Sequence, residues 1–255
     1  MRVVYKECTQ AAMSMQNLKF YGADVETASD GYASRFQGAA GEYLLSVQER
    51  SIRDVMPDMR GMSVLDVGGG HGQTSALMLR EGRAVTVLGS APQAHDRLRK
   101  SPIGGRCTLV TGDILALPFD DGAFDLVMSV RLLPHTPSWP RLVAEMCRVA
   151  RRWVIVDYPR PVGINALTPV LFGLKRRIEG NTREYINFSD ATISTAFGDN
   201  GFAVTKRVGQ FVMPMVVHRL TNARFSRGVE TAALRLGLTN ALGSPAIIRA
   251  DRTEC

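Results

Sequence analysis

The segment Val64-Leu65-Asp66-Val67-Gly68-Gly69-Gly70-His71-Gly72 concentrates residue types that can hold a small ligand. Glycines let a backbone turn sharply and come close to a bound molecule. A helix starting just after them presents free N–H groups, which suit a carboxylate. Asp66 stands one step before the glycines, at the end of an apolar run, where its own carboxylate suits an ammonium group. A ligand that is both amine and acid fits this pair better than a pyrophosphate does. The third glycine also comes too early for the dinucleotide fingerprint G-x-G-x-x-G. His71, inside the loop, reads as a local backbone partner.

A second group of residues suits proton transfer and acceptor contact. Histidine is the usual proton acceptor near neutral pH. His135, in Leu132-Leu133-Pro134-His135, follows a predicted strand whose C-terminal end would border a ligand crevice, and it is the candidate general base. Arg131 ends that strand and is placed to meet either ligand, or merely solvent. The stretch Gln210–Val217 is aromatic, Met-containing and aliphatic, which suits either a pocket wall or ordinary core packing. Met213 and His218 of this region, with Tyr158 at the end of the fifth strand and Tyr185, are the candidate acceptor contacts.

Alternating strands and helices must position these groups. Residues 38–57 read as a helix, closed by Pro57 and Gly61. Short apolar strands are expected at Ser63–Val67, Ala84–Leu88, Cys107–Thr111, Phe124–Val130 and Trp153–Val156. Helices are expected at Thr74–Arg80, at Pro92–Lys100 and around Trp139–Ala150, where apolar residues recur at the 3.6 period. Continuous apolar strands alternating with helices point to a parallel sheet covered on both faces. Beyond Asp157 the pattern changes. Residues 158–187 read as an inserted lid, Ser189–Phe197 as a helix, Phe202–Val208 as a strand, 218–238 as a helix and Pro245–Arg249 as a last strand. Pro245 suits the first residue of a strand or an edge.

Composition agrees with a folded enzyme-sized domain. The 255 residues are 45% hydrophobic and 22% charged, which excludes disordered, collagenous and disulfide-scaffold chains. The net charge is +7, but it is uneven. Residues 1–140 hold 14 basic and 15 acidic side chains, net −1, whereas residues 141–255 hold 17 and 9, net +8. That excess suggests an anionic partner or a solvated Arg-rich face. Cys8, Cys107, Cys147 and Cys255 are too scattered for a zinc or dithiol motif, so no metal site is expected. The polar first twenty residues and the 14-residue apolar run 161–174 suit neither a signal peptide nor a membrane span, so a cytoplasmic location is expected.

In order and spacing, VLDVGGGHG at 64–72, TGDILALPFDDGAFDLVMSV at 111–130 and RLVAEMCRVARRWVIVDY at 141–158 resemble the class I S-adenosylmethionine-dependent methyltransferases. The likeness is greatest to the ubiquinone/menaquinone-biosynthesis-like, small-molecule branch. The resemblance implies an α/β, doubly wound, Rossmann-like sheet of seven mostly parallel strands, with an antiparallel last strand and inserted helical lid segments. It implies one domain over 1–255: an N-terminal helical cap at 1–60, a cofactor core at 61–160 and substrate-side inserts at 158–187 and 209–240. S-adenosylmethionine would be bound, with S-adenosylhomocysteine as its product form. Asp66, Val67, Gly68, Gly69, Gly70 and Gly72 would hold its methionine part, and Asp113 and Ile114 its adenine. Ser129 and Arg131 would line the same cleft, and Tyr32 and Arg35 of the N-terminal segment would fold over it.

One departure stands out. An acidic residue for the ribose hydroxyls is expected about 20 residues past the motif start, but the chain there reads Val87-Leu88-Gly89-Ser90. Gly89 occupies the place of the acid, leaving Ser90 or Asp96 to compensate. The acceptor implied is a small or lipid-like molecule, and the basic half suits one that is anionic or membrane-resident. Three other readings stand beside it: a peripheral membrane contact through the apolar run 161–174 next to Lys175-Arg176-Arg177, a cofactor-binding accessory protein without catalysis, and an RNA or DNA methyltransferase. Against the last, Ser129-Val130-Arg131-Leu132 replaces the (N/D)-P-P-(Y/F) motif of base-amine methylases.

Overall fold

The computed structural model describes residues 22–58, 60–163, 186–213, 218 and 223–253. Strands β1 (Ser63–Val67), β2 (Ala84–Gly89), β3 (Thr108–Thr111), β4 (Phe124–Ser129), β5 (Ala150–Tyr158), β6 (Phe202–Gly209) and β7 (Ala246–Arg252) form one seven-stranded sheet in the order β3-β2-β1-β4-β5-β7-β6. β1 pairs in parallel with β2 and β4, β2 with β3, and β4 with β5. β7 runs antiparallel to both β5 and β6. The expected sheet is therefore present, and its last strand lies inside it. Pro245 stands one residue before β7, where its missing N–H disturbs no ladder bond, and its carbonyl accepts from Gln210 N–H at 3.0 Å.

The helices are α1 (Ala23–Thr27), α2 (Asp30–Ala33), α3 (Gly38–Val55), α4 (Gln73–Arg80), α5 (Asp96–Lys100), α6 (Trp139–Val149), α7 (Asp190–Gly198), α8 (Ala223–Arg235) and α9 (Leu238–Leu242). The helix read at 218–238 is divided near Gly237, which has φ +70°, a conformation that suits glycine. β5 is longer than the apolar run Trp153–Val156: it starts at Ala150, opposite Phe124, and exposed Arg151 and Arg152 lie in the irregularity before the ladder resumes at Trp153. No described helix is long and apolar enough to cross a membrane.

Alternate residues of each central strand feed two cores. On one face Leu65, Val67, Val127, Val154 and Val156 meet Leu142, Val143 and Met146 of α6 and Ile193 and Phe197 of α7. On the other, Val64, Val87, Leu126, Met128 and Ile155 meet Ile52 and Val55 of α3, Leu77 and Met78 of α4, and Leu98 of α5. Each such buried side chain contributes roughly 1.5–3 kcal/mol relative to exposure. A third cluster, Phe36, Leu44 and Phe211, joins the N-terminal segment to the chain beyond β6. In β1 the alternation puts Asp66 on the second face, where an aliphatic side chain would be the ordinary choice.

Candidate functional site

The loop between β1 and α4 is shaped by its close neighbours. Gly68 and Gly72 have φ +74° and +79°. A Cβ on Gly69 would lie 2.2 Å from Asp66 Cγ, and one on Gly70 only 1.9 Å from the Ala94 carbonyl oxygen. The loop thus folds down over the Asp66 carboxylate and against the chain after β2. Neither position can carry a side chain without displacing backbone or Asp66 itself.

Asp66 is 1% exposed, and Ser75 Oγ–H of α4 donates to its Oδ2 at 2.8 Å. Burial pushes its pKa up to about 6, although the Ser75 bond and nearby Arg131 favour the charged form. No described cation forms an ion pair with it. Arg131, just past β4, has φ +65°, an uncommon conformation for a residue with a Cβ. Its N–H donates to Asp157 Oδ1 at 2.6 Å, which holds the turn. Asp157, next to last in β5, is likewise buried, and desolvation moves its pKa up to about 6. The turn returns the Arg131 guanidinium over the glycine loop. Its Nη2 donates to Gln73 Oε1 at 3.2 Å, and its centre lies 4.7 Å from the Phe36 ring and 5.8 Å from Tyr32. Its Nη1 is buried and has no hydrogen-bond partner among the described residues.

His71 stands edge-on to Tyr32 and Phe36, with ring centroids 6.5 and 5.9 Å away. Neither ring nitrogen makes a hydrogen bond among the described residues, so the expected bond to local backbone is absent. Burial, reinforced by Arg131 and Arg97, holds its pKa down at about 3, so the imidazole is neutral.

At the tips of β2 and β3, Gly89 carbonyl accepts from Gly112 N–H at 3.0 Å. Asp113 Oδ1 accepts from Leu115 N–H at 2.7 Å, a local turn, and Ile114 is buried beside it. The N-terminal segment closes over this end. Asp24 of α1 is fully buried, and its carboxylate accepts from Ser90 N–H at 2.6 Å and from the Ser90 hydroxyl.

The structure thus gathers Tyr32, Asp66, the four glycines of the loop, Gly89, Ser90, Asp113, Ile114 and Arg131 at the C-terminal ends of β1, β2, β3 and β4. Val67 is buried in the first core. Ser129 is buried with its hydroxyl donating to the Val67 carbonyl at 3.0 Å, so it ties β4 to β1. His135 ends the short 3-10 turn Leu133–His135 just after Arg131. Met213 and His218 meet at a second buried carboxylate: Glu230 accepts from Val212 and Met213 N–H at 3.0 and 2.9 Å, and lies 3.2 Å from His218 Nε2. Phe211 carries this cluster to Phe36 and so to the glycine loop. Tyr158 faces the opposite core, and its hydroxyl donates to Asp190 Oδ1 at 2.8 Å. Burial, with Asp190 beside it, pushes that phenol up. The side chain of Arg35, together with Tyr185 and most of the 158–187 insert, lies outside the described residues.

Sequence reasoning missed Asp24, Gln73, Asp157 and Glu230. Asp157 had a legible signal: like Asp66, it is an acid closing an apolar strand, in WVIVDY. The other three act across 12 to 66 positions of chain, where spacing carries no signal.

Residues 64–152 match a family model described as a methyltransferase domain. This stretch is a class I, S-adenosylmethionine-dependent methyltransferase domain. It is 36% identical over 91 residues to an uncharacterized methyltransferase of Mycobacterium sp. (strain KMS), covering 36% of this chain and 35% of that one. It is 35% identical over 100 residues to a 2-methyl-6-phytyl-1,4-hydroquinone methyltransferase of Synechocystis sp., covering 38% and 31%. The chain thus spans about a third of the length of these curated relatives. The fold of the methyltransferase domain and its surroundings is shared more widely. A Thermotoga maritima S-adenosylmethionine-dependent methyltransferase superposes with TM-score 0.66 at 12% identity, over 91% of this chain and 100% of that one. The magnesium protoporphyrin IX methyltransferase of Synechocystis PCC 6803, solved with bound S-adenosylhomocysteine, superposes with TM-score 0.61 at 15% identity, over 93% and 100%.

Proposed function

We propose that the chain binds S-adenosylmethionine at the glycine loop and transfers its methyl group to a small-molecule or lipid-like acceptor. One observation carries this reading. The loop lies between the buried Asp66 carboxylate and the half-buried Arg131 guanidinium, whose Nη1 is buried and without a hydrogen-bond partner, and neither group forms an ion pair among the described residues. A buried ion without a counter-ion is costly. An amino acid supplies both missing partners: its ammonium for Asp66, its carboxylate for the buried Arg131 Nη1 and the N–H groups at the start of α4. The methionine part of S-adenosylmethionine has these two groups.

When bound, the cofactor supplies an already activated methyl group. The residues of the chain then have to position and to exclude water. Phe36, Tyr32 and neutral His71 form an apolar wall against Arg131. A hydroxyl acceptor also has to lose a proton, and His135, at the exit of β4, is the group proposed to take it. The small-molecule class follows the relatives, which include the phytylhydroquinone enzyme and a 27-O-demethylrifamycin SV methyltransferase of Amycolatopsis mediterranei.

Calorimetry with S-adenosylmethionine and S-adenosylhomocysteine tests the cofactor, and absence of binding would sink the proposal. A labelled-methyl assay on fractionated extract, with mass identification of the product, tests the acceptor. Binding without transfer to any fraction would favour the accessory-protein reading, which Gly89 in place of an acid supports.

A further inference from the structure

We infer that Asp24, carried in from the N-terminal segment by α1, is the carboxylate that binds the ribose hydroxyls of the cofactor. The inference rests on the cofactor reading above. Nucleoside ligands of open α/β sheets present their ribose diol at the tip of the second strand, and an acid there accepts both hydroxyls.

In this chain β2 cannot carry that acid itself. A Cβ on Gly89 would lie 2.8 Å from Ala94 Cβ and 3.0 Å from His95 Cε1. His95 is fixed, fully buried, with Nε2 3.0 Å from the Val110 carbonyl oxygen. The space a side chain would need is already filled by the turn after the strand.

Asp24 reaches the same strand tip from outside. Its carboxylate accepts from Ser90 N–H and from the Ser90 hydroxyl, one residue past Gly89. Its Cβ lies 3.4 Å from where a Cβ on Gly68 would stand, so it borders the glycine loop as well as β2. It is 0% exposed and forms no ion pair with a described cation. A carboxylate has about four lone-pair sites. Ser90 uses two of them, and both its donors are neutral. A vicinal diol offers two further donors of the kind that a buried carboxylate needs. Neither Ser90 nor Asp96 is then required as the substitute acid: Ser90 serves to aim Asp24, and Asp96 is exposed and pairs with Arg99.

The experiment compares S-adenosylhomocysteine with its 2′,3′-dideoxy analogue by calorimetry, on the wild-type protein and on Asp24→Asn. In the wild type the analogue is expected to bind roughly 10- to 100-fold more weakly, as for loss of hydrogen bonds to a charged group. In Asp24→Asn, S-adenosylhomocysteine should lose most of that margin, while the analogue should bind as it does to wild type. Equal affinity of both ligands for the wild type would overturn the inference without any variant. So would an Asp24→Asn protein that loses the same factor for both, since Asp24 would then only fasten α1 to Ser90. Should the variant fail to fold, the wild-type comparison is joined by hydrogen exchange over residues 22–37. Protection there should rise with S-adenosylhomocysteine more than with saturating analogue, and equal protection would overturn the inference. Failure of the wild type to bind S-adenosylhomocysteine at all would instead refute the cofactor reading.

Discussion

Asp66 and Arg131 are each held in a state that an isolated side chain would not favour. Asp66 has a pKa of about 6 in the fold, against about 3.9 in an unfolded chain. The folded state therefore binds its proton more tightly, and this group favours folding below about pH 4, an advantage lost as pH rises towards 6. Asp157 shifts in the same direction for the same reason, so the two act together on stability. Ligand binding has the opposite slope, because an ammonium needs the ionised carboxylate. Affinity for S-adenosylhomocysteine should rise between about pH 5 and 7. Asp66→Asn should flatten that rise and weaken binding by roughly 10- to 100-fold at pH 7, measurable by calorimetry at several pH values. Arg131 gives a complementary prediction. Its positive φ costs roughly 1 kcal/mol, and glycine would remove that strain while adding unfolded-state entropy of similar size. Arg131→Gly should leave the melting temperature within a few degrees and still weaken cofactor binding at least about tenfold. A large loss of stability with intact affinity would contradict the role given to its guanidinium.

The elements around the loop explain which glycines can be changed. Gly70 abuts the Ala94 carbonyl at 1.9 Å from a virtual Cβ, whereas nothing lies within 4 Å of one on Gly105. Gly70→Ala should therefore displace the turn after β2 and abolish detectable cofactor binding, and Gly105→Ala should be silent in the same titration. Tyr158, by contrast, belongs to the β5–α7 contact. Tyr158→Phe removes the bond to Asp190, which still accepts from Arg160 and Arg207. A loss of about 1 kcal/mol in urea unfolding with unchanged cofactor affinity is the expected result. A change in affinity would return Tyr158 to the ligand site. The element scale also shows where sequence reading ends. Strand β1, the loop and α4 are contiguous, and period and glycine placement display them directly. The Asp24–Ser90 tie spans 66 residues and the Arg131–Gln73 bond 58, and neither leaves a local pattern. Tyr158 shows the converse: its position at a strand end points to the crevice, while its ring packs in the core against Phe188 and its hydroxyl binds Asp190, contacts that no local pattern displays.

At the scale of the molecule, the charge division sets the part of the chain that carries the glycine loop against its C-terminal part, and it falls inside the matched stretch 64–152. The near-neutral residues 1–140 carry the glycine loop and the Asp66–Arg131 pair, and the net +8 lies beyond. Several of those arginines are spent internally. Arg148 binds Glu145 and Asp121, Arg160 and Arg207 bind Asp190, and Arg252 donates to the carbonyls of Cys147 and Ala150. Duplex DNA or RNA should accordingly bind with no more than non-specific affinity, about 10⁻⁴–10⁻⁶ M at physiological salt, by fluorescence anisotropy. Nanomolar, sequence-dependent binding would revive the nucleic-acid reading.

The interior place of β7 also has a temporal side. On the ribosome, β6 emerges before β7, the only described strand it pairs with. At about 5–20 residues per second, the intervening chain of roughly 40 residues takes about 2–8 s to make. Through that interval β6 has no ladder to join, while β5 presents the open edge that β7 will fill. Exposed Lys206 and Arg207 near the middle of β6 are the charges that discourage another strand from pairing there. Their place in this strand protects the nascent chain from its neighbours on a polysome as much as it protects the finished sheet edge.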